Sequence, residues 1–468
     1  MARQRPNLEG LTERIVPAIS LKFVSGNLTI TAVPANVANN LTLAQSATDG
    51  KFTVTDGTQS AGPYNVRGNI TIISSNAADT ININLNRGAA GGFAIPGFLS
   101  INSRNGADTI NITGDATNGG RISGNVILAT GFANDTVTMS GGGDLLSIGG
   151  AISANFDSGL DTFNMGSTAN SSSVITGKGV SLFRANSVNI ANGTDPVTIN
   201  GSVCIDNTLD YGLTNATNVG IISSVTQARI AGNFVYNGGT QTDTINLFGT
   251  VQAAPGKNSV INMGQGTNTL NINAEIGAGS ASDLIVTGGS GIDDVAFNDN
   301  TVISNDVIFS LGNGANLYGF NSTFAVNGDF ILNAGNGDDN LGIFAGAIGG
   351  DLTLSLGNGV NAFTFASLAN TTGAAQSASC HDFTYTGGDG DDTIIYDADS
   401  GAVENMLTVY LNSGSDVFDG TQSANDSYLL GYIALGLDVD PDNVIFRSAL
   451  AGVTDIEEIF PNDTVTAV

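Results

Sequence analysis

The 468-residue chain has no Trp, a single His, two Cys and nine Pro, and it is poor in basic residues. Two cysteines are too few for a disulfide framework, which removes the class of small disulfide-stapled domains. The 14 basic residues face 42 acidic ones, for a net charge of −28. Nucleic acids and anionic membranes bind basic surfaces, so we expect neither as a partner.

Long apolar runs are also missing. The longest candidate, at 428–437, contains two glycines and is too short to cross a bilayer. We therefore predict a soluble chain with no transmembrane segment.

What the chain does contain is glycine (63 residues) and abundant Asn, Thr and Ser, the usage of short strands joined by tight turns. One turn recurs, most clearly as NAGNGDDNLGIF at 333–344, SLGNGVNAFTF at 355–365 and TGGDGDDTIIY at 386–396. Its spacing is 22 to 34 residues, with insertions predicted near 165–190 and 365–382. The aligned turn residues are Asp79, Asp108, Asp135, Asp161, Asp195, Asn218, Asp243, Asn268, Asp293, Asn316, Asp339, Asn361, Asp392 and Asp416.

Apolar residues alternate on both sides of this turn, as Ile81 and Ile83 do after Asp79 and as Val307 and Phe309 do before Asn316. Period-two alternation places each set on one face of a strand. We predict an all-β fold, a right-handed parallel β-helix of about 14 or more coils of roughly 22–29 residues. The predicted segments are an N-terminal leader or cap (1–23), the β-helix (24–437) and a C-terminal closing or assembly segment (438–468).

The turns resemble the Gly-Gly-x-Gly-x-Asp-x-apolar-x nonapeptide of calcium-binding toxins of the β-roll type. That architecture requires the motif about every nine residues. Here the motif recurs once per 22 or more residues, so we favour the larger coils of a β-helix.

The turn acids are the candidate metal ligands. Stacked coils bring equivalent carboxylates about 4.8 Å apart, where they repel each other unless a cation lies between them. Calcium prefers carboxylate and carbonyl oxygens. A metal-free ladder is the alternative, because Asp and Asn tolerate left-handed turns and alternating Asn relieves repulsion. The candidate Ca²⁺ ligands are Asp293, Asp294, Asp338, Asp339, Asp389, Asp391, Asp392 and Asp416.

The N-terminal sequence LEGLTERIVP at 8–17 resembles the Leu-Glu…Leu-Glu…Arg…Pro leader of large, repeat-rich surface proteins of budding bacteria with unusual envelopes. This resemblance implies export. The pattern departs at Thr12, where a second Glu is usual. Alternatively, Leu8, Leu11 and Ile15 lie at helical spacing and form a short helix that caps the first coil.

These features predict a structural, extracellular or cell-surface solenoid that assembles into a fibre or envelope layer, with calcium as a possible stiffener. Homo-oligomers or filaments would form through the terminal coils, whose strand edges are unpaired. An adhesin or carbohydrate-binding β-helix is the alternative, with glycan as partner. A polysaccharide lyase or hydrolase is disfavoured. Between Arg229 and Arg447, which spans the acid-rich turns, the only Lys or Arg is Lys257, so this surface would repel an acidic sugar. We therefore expect no enzymatic activity. His381 and Cys380 are adjacent in sequence, but adjacent residues of a strand face opposite sides, so they do not suggest a catalytic pair.

Overall fold

The structure is a computed structural model. It describes residues 19–33, 36–57, 59–166, 173–191, 196–208, 217–221, 228–253, 256–320, 322–369, 375–397, 403–420, 430–434, 443–446, 456–457 and 464–467. All regular elements in these segments are β-strands, and no helix in them is long and apolar enough to span a membrane.

The strands are short, and most have three to six residues. In the first half of the chain they are β1 (Ile19–Val24), β2 (Asn27–Ala32), β3 (Asn40–Gln45), β4 (Phe52–Asp56), β5 (Gln59–Tyr64), β6 (Ile70–Ile73), β7 (Thr80–Leu85), β8 (Leu99–Asn102), β9 (Thr109–Gly114), β10 (Gly120–Ile122), β11 (Val126–Phe132), β12 (Thr136–Ser140), β13 (Leu145–Ile148), β14 (Ile152–Ser158), β15 (Thr162–Met165), β16 (Ser173–Thr176), β17 (Val180–Phe183), β18 (Ser187–Ile190), β19 (Val197–Ile199), β20 (Val203–Asp206), β21 (Thr217–Ile221), β22 (Ala228–Ile230) and β23 (Phe234–Asn237).

The second half continues with β24 (Asp243–Val251), β25 (Ser259–Asn262), β26 (Asn268–Ile276), β27 (Leu284–Thr287), β28 (Asp293–Phe297), β29 (Thr301–Ile303), β30 (Val307–Gly312), β31 (Leu317–Phe320), β32 (Phe324–Val326), β33 (Phe330–Ala334), β34 (Asn340–Ile343), β35 (Gly346–Ile348), β36 (Leu352–Gly357), β37 (Ala362–Ala369), β38 (Ala375–Ser377), β39 (Cys380–Gly387), β40 (Thr393–Asp397), β41 (Val403–Tyr410), β42 (Val417–Asp419), β43 (Leu430–Ala434), β44 (Asn443–Phe446), β45 (Ile456–Glu457) and β46 (Thr464–Ala467).

The strands form two long sheets, one of 18 and one of 28 strands. A typical coil has one strand in the first sheet and two in the second. For example, β11, β12 and β13 pair in parallel with β14, β15 and β16 of the next coil. The predicted all-β parallel solenoid is therefore confirmed, with a number of coils close to the one predicted.

The interior of the described coils is one continuous apolar cluster that runs from Leu28 to Phe418. The alternating residues predicted to face inward do so: Ile81, Ile83, Val307 and Phe309 are at most 1% exposed. The register places like on like, since Ile81 pairs with Ile110, which pairs with Val137. Parallel strands give each coil's apolar side chains two neighbouring coils to pack against.

The outward face of the second sheet carries matching polar rows. Thr80, Thr109, Thr136 and Thr162 occupy one row in successive coils. In the adjacent row, asparagine side chains bond to each other: Nδ2 donates to Oδ1 over 2.9 Å from Asn111 to Asn82, from Asn189 to Asn164 and from Asn271 to Asn246.

The N-terminal end of the described stack is closed by antiparallel strands. β1 folds back on β2, and β4 and β5 follow β3 as an antiparallel meander. The outermost strand β5 contains Pro63, which has no N–H to donate to a further strand. The leader at 8–17 and the alternative capping helix lie outside the described residues.

Two details of the predicted coil register are wrong. The turn residue after Asp161 is Asn186, because the Asp161 N–H donates to Asn186 Oδ1, 25 residues on. Asp195 lies outside the described residues. The next equivalent position is Thr217 rather than Asn218, since β18 pairs Ser187 with Asn218. The coil that starts at Asp161 therefore has ordinary length, and the insertion predicted near 165–190 is not required.

The second predicted insertion does coincide with extra structure. β37 continues beyond its coil and pairs antiparallel with β38, from Ser367↔Ser377 to Ala369↔Ala375. This coil accordingly separates Asn361 from Asp392 by 31 residues. Further on, β44 and β46 lengthen the second sheet in parallel, so the described part of 438–468 continues the solenoid.

Candidate functional site: the acidic columns

The predicted turn residues form a buried column at the corner where each coil passes from the first sheet to the second. We call it the inner column. In most steps, Oδ1 of one member accepts the backbone N–H of the member one coil earlier, as in Asp79 to Asp108 (2.7 Å), Asp108 to Asp135 (2.8 Å) and Asp135 to Asp161 (2.8 Å). The step from Asn268 to Asp293 differs, because Asp293 Oδ1 accepts from Asn268 Nδ2 over 2.8 Å. The side chain thus satisfies an N–H at a corner where the strand ladder is interrupted.

The same bond repeats through the second half of the chain. It joins Asp243 to Asn268, Asp293 to Asn316, Asn316 to Asp339, Asp339 to Asn361, Asn361 to Asp392 and Asp392 to Asp416, at 2.7 to 3.0 Å. No described member of the inner column has a positive φ. The expectation that Asp and Asn occur here for left-handed turns is therefore wrong, and bonding to the neighbouring coil is the reason.

Burial shifts the acid–base equilibrium of these aspartates. Removal from water raises the pKa of Asp108 to about 7, of Asp135 to about 8 and of Asp293 to about 7. The pKa values of Asp161, Asp339 and Asp392 rise to about 6 for the same reason. The accepted backbone N–H bonds act against this shift in five of the six groups, Asp293 being the exception. Burial prevails because desolvation disfavours the charged form.

Glycine provides the space for several of these carboxylates. Gly238, Gly288 and Gly387 each lie five residues before an aspartate, and a Cβ on any of them would overlap Oδ2 of Asp243, Asp293 or Asp392. In the intervening coils the column residue is Asn, and the residue five positions earlier is a buried Met263, Leu311 or Leu356. The corner thus alternates between a small residue with Asp and a large residue with Asn.

We expect Gly288→Ala to lower the free energy of unfolding by about 1–3 kcal/mol, because the added methyl overpacks a filled corner at Asp293. Urea unfolding followed by circular dichroism measures it. Gly92→Ala is the matched control, since a Cβ at Gly92 meets nothing within 4 Å. Its effect should stay within about 0.5 kcal/mol. Equal effects of the two substitutions would contradict the role assigned to Gly288.

The eight predicted metal ligands fall into two groups. Four of them, Asp293, Asp339, Asp392 and Asp416, belong to the inner column and are at most 1% exposed. The other four face outward: Asp338, Asp389 and Asp391 are exposed in glycine turns, and Asp294 is half-buried on β28.

The exposed turn acids also contact the backbone of adjacent coils. Oδ1 of Asp338 accepts the Val360 N–H, and Oδ1 of Asp391 accepts the Ser415 N–H, both at 2.9 Å. These bonds fix the carboxylates in a row along the corner. The structure therefore separates the predicted set into buried and exposed acids and does not gather it into one cage.

A second acidic row, the outer column, lies at the corner that precedes each strand of the first sheet. Its members are Asp283, Asp306, Asp329, Asp351 and Asp382, all half-buried or exposed. Each N–H donates to Oδ1 of the member one coil earlier, for example Asp329 to Asp306 at 2.9 Å. The sequence analysis missed this column, although Asp followed directly by an apolar residue recurs at the same period.

His381 lies at one end of the outer column. Its Nδ1 is 3.2 Å from Asp351 Oδ1 and 3.7 Å from Asp382 Oδ2. In the part of the chain that the structure describes, this is the place where three potential metal-binding side chains have ligand atoms within 4.8 Å of one another. The His381 side chain is 52% exposed, which agrees with the predicted surface position. Cys380 is buried instead.

The fold and its columns define the chain as a β-solenoid with polar corners and an apolar interior. Comparison with known proteins adds no narrower class: no family model, no curated protein and no solved structure shows significant similarity to the chain.

Proposed function

We propose that this protein is a structural rod that acts outside the cell or on its surface and assembles into a fibre or an envelope layer. The observation that carries the proposal is the uninterrupted parallel stacking of like side chains along one apolar core. An 18-stranded stack at about 4.8 Å per strand is on the order of 80 Å long. Such a solenoid is stiff because every coil is bonded to both neighbours.

Assembly through the terminal coils needs an open strand edge. The antiparallel closure at β5 with Pro63 is a feature that protects edges from pairing. We therefore place growth by strand pairing at the C-terminal strands. The Thr and Asn rows on the second sheet offer a neutral surface for side-by-side contact as well, so we include lateral packing in the proposal.

We expect purified protein at high concentration with Ca²⁺ to form filaments or sheets in negative-stain electron microscopy. A triple variant, Asn111→Asp, Asn164→Asp and Asn246→Asp, adds like charges to the Asn row and should abolish lateral association. Thr117→Asp, at an exposed residue outside the strands, is the control. Protein that stays monomeric under all these conditions would contradict the proposal. Export, implied by the leader resemblance, is tested by fractionating cells into lysate, envelope and medium.

Calcium is part of the proposal because the exposed acids repeat along two corners with few cations nearby. Oδ1 of each of the four buried acids already accepts a hydrogen bond, from a backbone N–H in Asp339, Asp392 and Asp416 and from Asn268 Nδ2 in Asp293. The exposed Asp338, Asp389 and Asp391 and the outer column are therefore the better ligands. We expect Ca²⁺ to raise the melting temperature by a few degrees, as for any ligand that binds only the folded state. EGTA should reverse this rise.

Two double variants locate the calcium effect. Asp389→Asn with Asp391→Asn tests the glycine turn, and Asp329→Asn with Asp351→Asn tests the outer column. Asp49→Asn, at an exposed acid paired with Lys51 at 2.9 Å, is the control and should leave the Ca²⁺ effect unchanged. A melting temperature that is the same with Ca²⁺ and with EGTA would contradict calcium binding.

Carbohydrate binding, as in an adhesin, is the second candidate function, supported by the neutral hydrogen-bonding rows of the second sheet. We do not propose enzymatic cleavage of a polysaccharide. A hydrolase would need two accessible carboxylates. Of the neighbouring pair Asp391 and Asp392, the second is fully buried, with Oδ1 accepting from Asn361 and Oδ2 from Tyr385.

A further inference from the structure

The Asn row on the outer face of the second sheet contains one run of three consecutive small residues among the strands described above. After Asn271, the same register position holds Ala296, then Gly319, then Gly342, before Thr364 restores a longer side chain. Three consecutive small residues on neighbouring strands leave a depression in this face. The result is a trough of about 460 Å³, within the roughly 300–1,000 Å³ typical of ligand sites.

The two flanking rows form the walls of the trough. One wall consists of Asp294, Leu317 and Asn340, which pair with each other in register on β28, β31 and β34. Leu317 is 47% exposed, which is unusual for a leucine on a solenoid face that is otherwise polar. Burial raises the pKa of Asp294, so its carboxylate is partly desolvated and gains from a hydrogen-bond donor.

The opposite wall is formed by Asn298, Ser322 and Phe344. The Phe344 ring lies over Gly342, where a Cβ would overlap it, and it remains half-buried on the outside of the sheet. Phe344 has no place in the apolar interior and is the aromatic surface of the trough. The floor residues Ala296, Gly319 and Gly342, together with Thr364 at one end, lie on four neighbouring strands. The trough is therefore about 14 Å long at ~4.8 Å per step.

We propose that this trough binds a neutral polysaccharide chain. A pyranose ring has an apolar face, which stacks on Phe344 and Leu317, and equatorial hydroxyls, which bond to Asp294, Asn298 and Asn340. The trough is long enough for more than one sugar ring. The net charge of −28 and the carboxylate in the wall repel uronates and sulfated sugars, so an uncharged chain is the matching ligand. This inference rests on the second candidate function, not on assembly.

The test is isothermal titration calorimetry of the full chain with cellohexaose, laminarihexaose, mannohexaose and xylohexaose, with hexagalacturonate as the acidic comparator. We expect binding of at least one neutral hexasaccharide and none of hexagalacturonate. Gly319→Asn fills the floor with the side chain that the same row carries at Asn82 and Asn246, so the fold tolerates it. It should weaken binding at least tenfold, and Phe344→Ala should do the same.

Thr138→Asn makes a comparable change in the same row outside the trough and serves as the control, with unchanged affinity expected. Circular dichroism melting confirms that each variant is folded. Equal affinity of wild type and Gly319→Asn would overturn the site, as would the absence of neutral-sugar binding at millimolar concentration. Tighter binding of hexagalacturonate would overturn the ligand class. Electron microscopy of the Gly319→Asn variant shows separately whether assembly persists.

Discussion

The protein should melt at a higher temperature near pH 5 than near pH 8.5, by on the order of 5–10 °C. The reason is the inner column, in which burial raises the pKa of Asp135 to about 8 and those of Asp108 and Asp293 to about 7. Thermal melting by circular dichroism at constant ionic strength measures the difference.

The sign follows from proton linkage. An unfolded aspartate has a pKa of about 3.9, so between about pH 4 and pH 8 the folded state binds more protons than the unfolded state. Stability from these groups is fully present below pH 4, falls as the pH rises from there, and is completely lost once the pH exceeds the folded pKa values of about 6 to 8. Neighbouring charges add to the effect of burial, since the charge of Asp79 raises the pKa of Asp108, and the charges of Asp161 and Asp108 raise the pKa of Asp135.

Asp135→Asn combined with Asp293→Asn removes two titrating groups while keeping an Oδ1 acceptor, for the Asp108 N–H at position 135 and for Asn268 Nδ2 at position 293. The column already uses Asn in this way at Asn268 and Asn316. The variant should show a smaller difference between pH 5 and pH 8.5. His381→Gln in both backgrounds removes the one histidine from the comparison. Stability that rises with pH, or a slope unchanged in the double variant, would contradict the prediction.

Replacing Phe320 by Ala should cost about 3–5 kcal/mol of unfolding free energy, the range for removing a large side chain from a packed core. Phe320 is fully buried, and its ring centroid lies 4.8 Å from Phe297, 5.4 Å from Phe330 and 5.8 Å from Phe324. These rings come from three successive coils, so one deletion loosens the contacts between all three.

Phe132→Ala is the matched control, because Phe132 is 55% exposed. We expect its effect to stay within about 0.5 kcal/mol. Urea unfolding of both variants gives the comparison. A cost below about 1 kcal/mol for Phe320→Ala would mean that the interior near this coil collapses to fill the space.

The sequence predicts the fold well because period-two alternation has one physical reading in short Gly-bounded segments, namely a strand with one buried face. Ile81 and Phe309 were assigned inward on this basis and are inward. The predicted coil register is wrong at Asn186, because Asp195 follows Gly193 as in the turn motif, whereas none of the five residues before Asn186 is a glycine. The hydrogen bonds of the inner column depend on an acceptor oxygen, and Asp and Asn side chains both supply one.

The candidate sites were harder to predict. The pattern identified the inner aspartates but not their burial, since a turn acid is usually assigned to solvent. The outer column needed the observation that Asp306 and Asp329 precede strands at equal spacing. Sequence motifs do not predict the trough, because its floor is formed by Gly319 and Gly342, which have no side chains. The alternation of apolar residues shows which residues face outward, but it does not show which of them lie side by side on neighbouring strands.

The hydrogen bonds from backbone N–H groups to carboxylates run in opposite directions along the chain in the two columns. At the inner corner an earlier coil gives its N–H to a later carboxylate, as from Asp79 to Asp108, whereas at the outer corner a later coil gives its N–H to an earlier carboxylate, as from Asp329 to Asp306. A chain emerging from the ribosome therefore always holds its newest inner corner incomplete until one more winding arrives. Each winding is thus completed by the one that follows it, and a chain that stalls leaves the N–H of its last inner corner without its carboxylate acceptor.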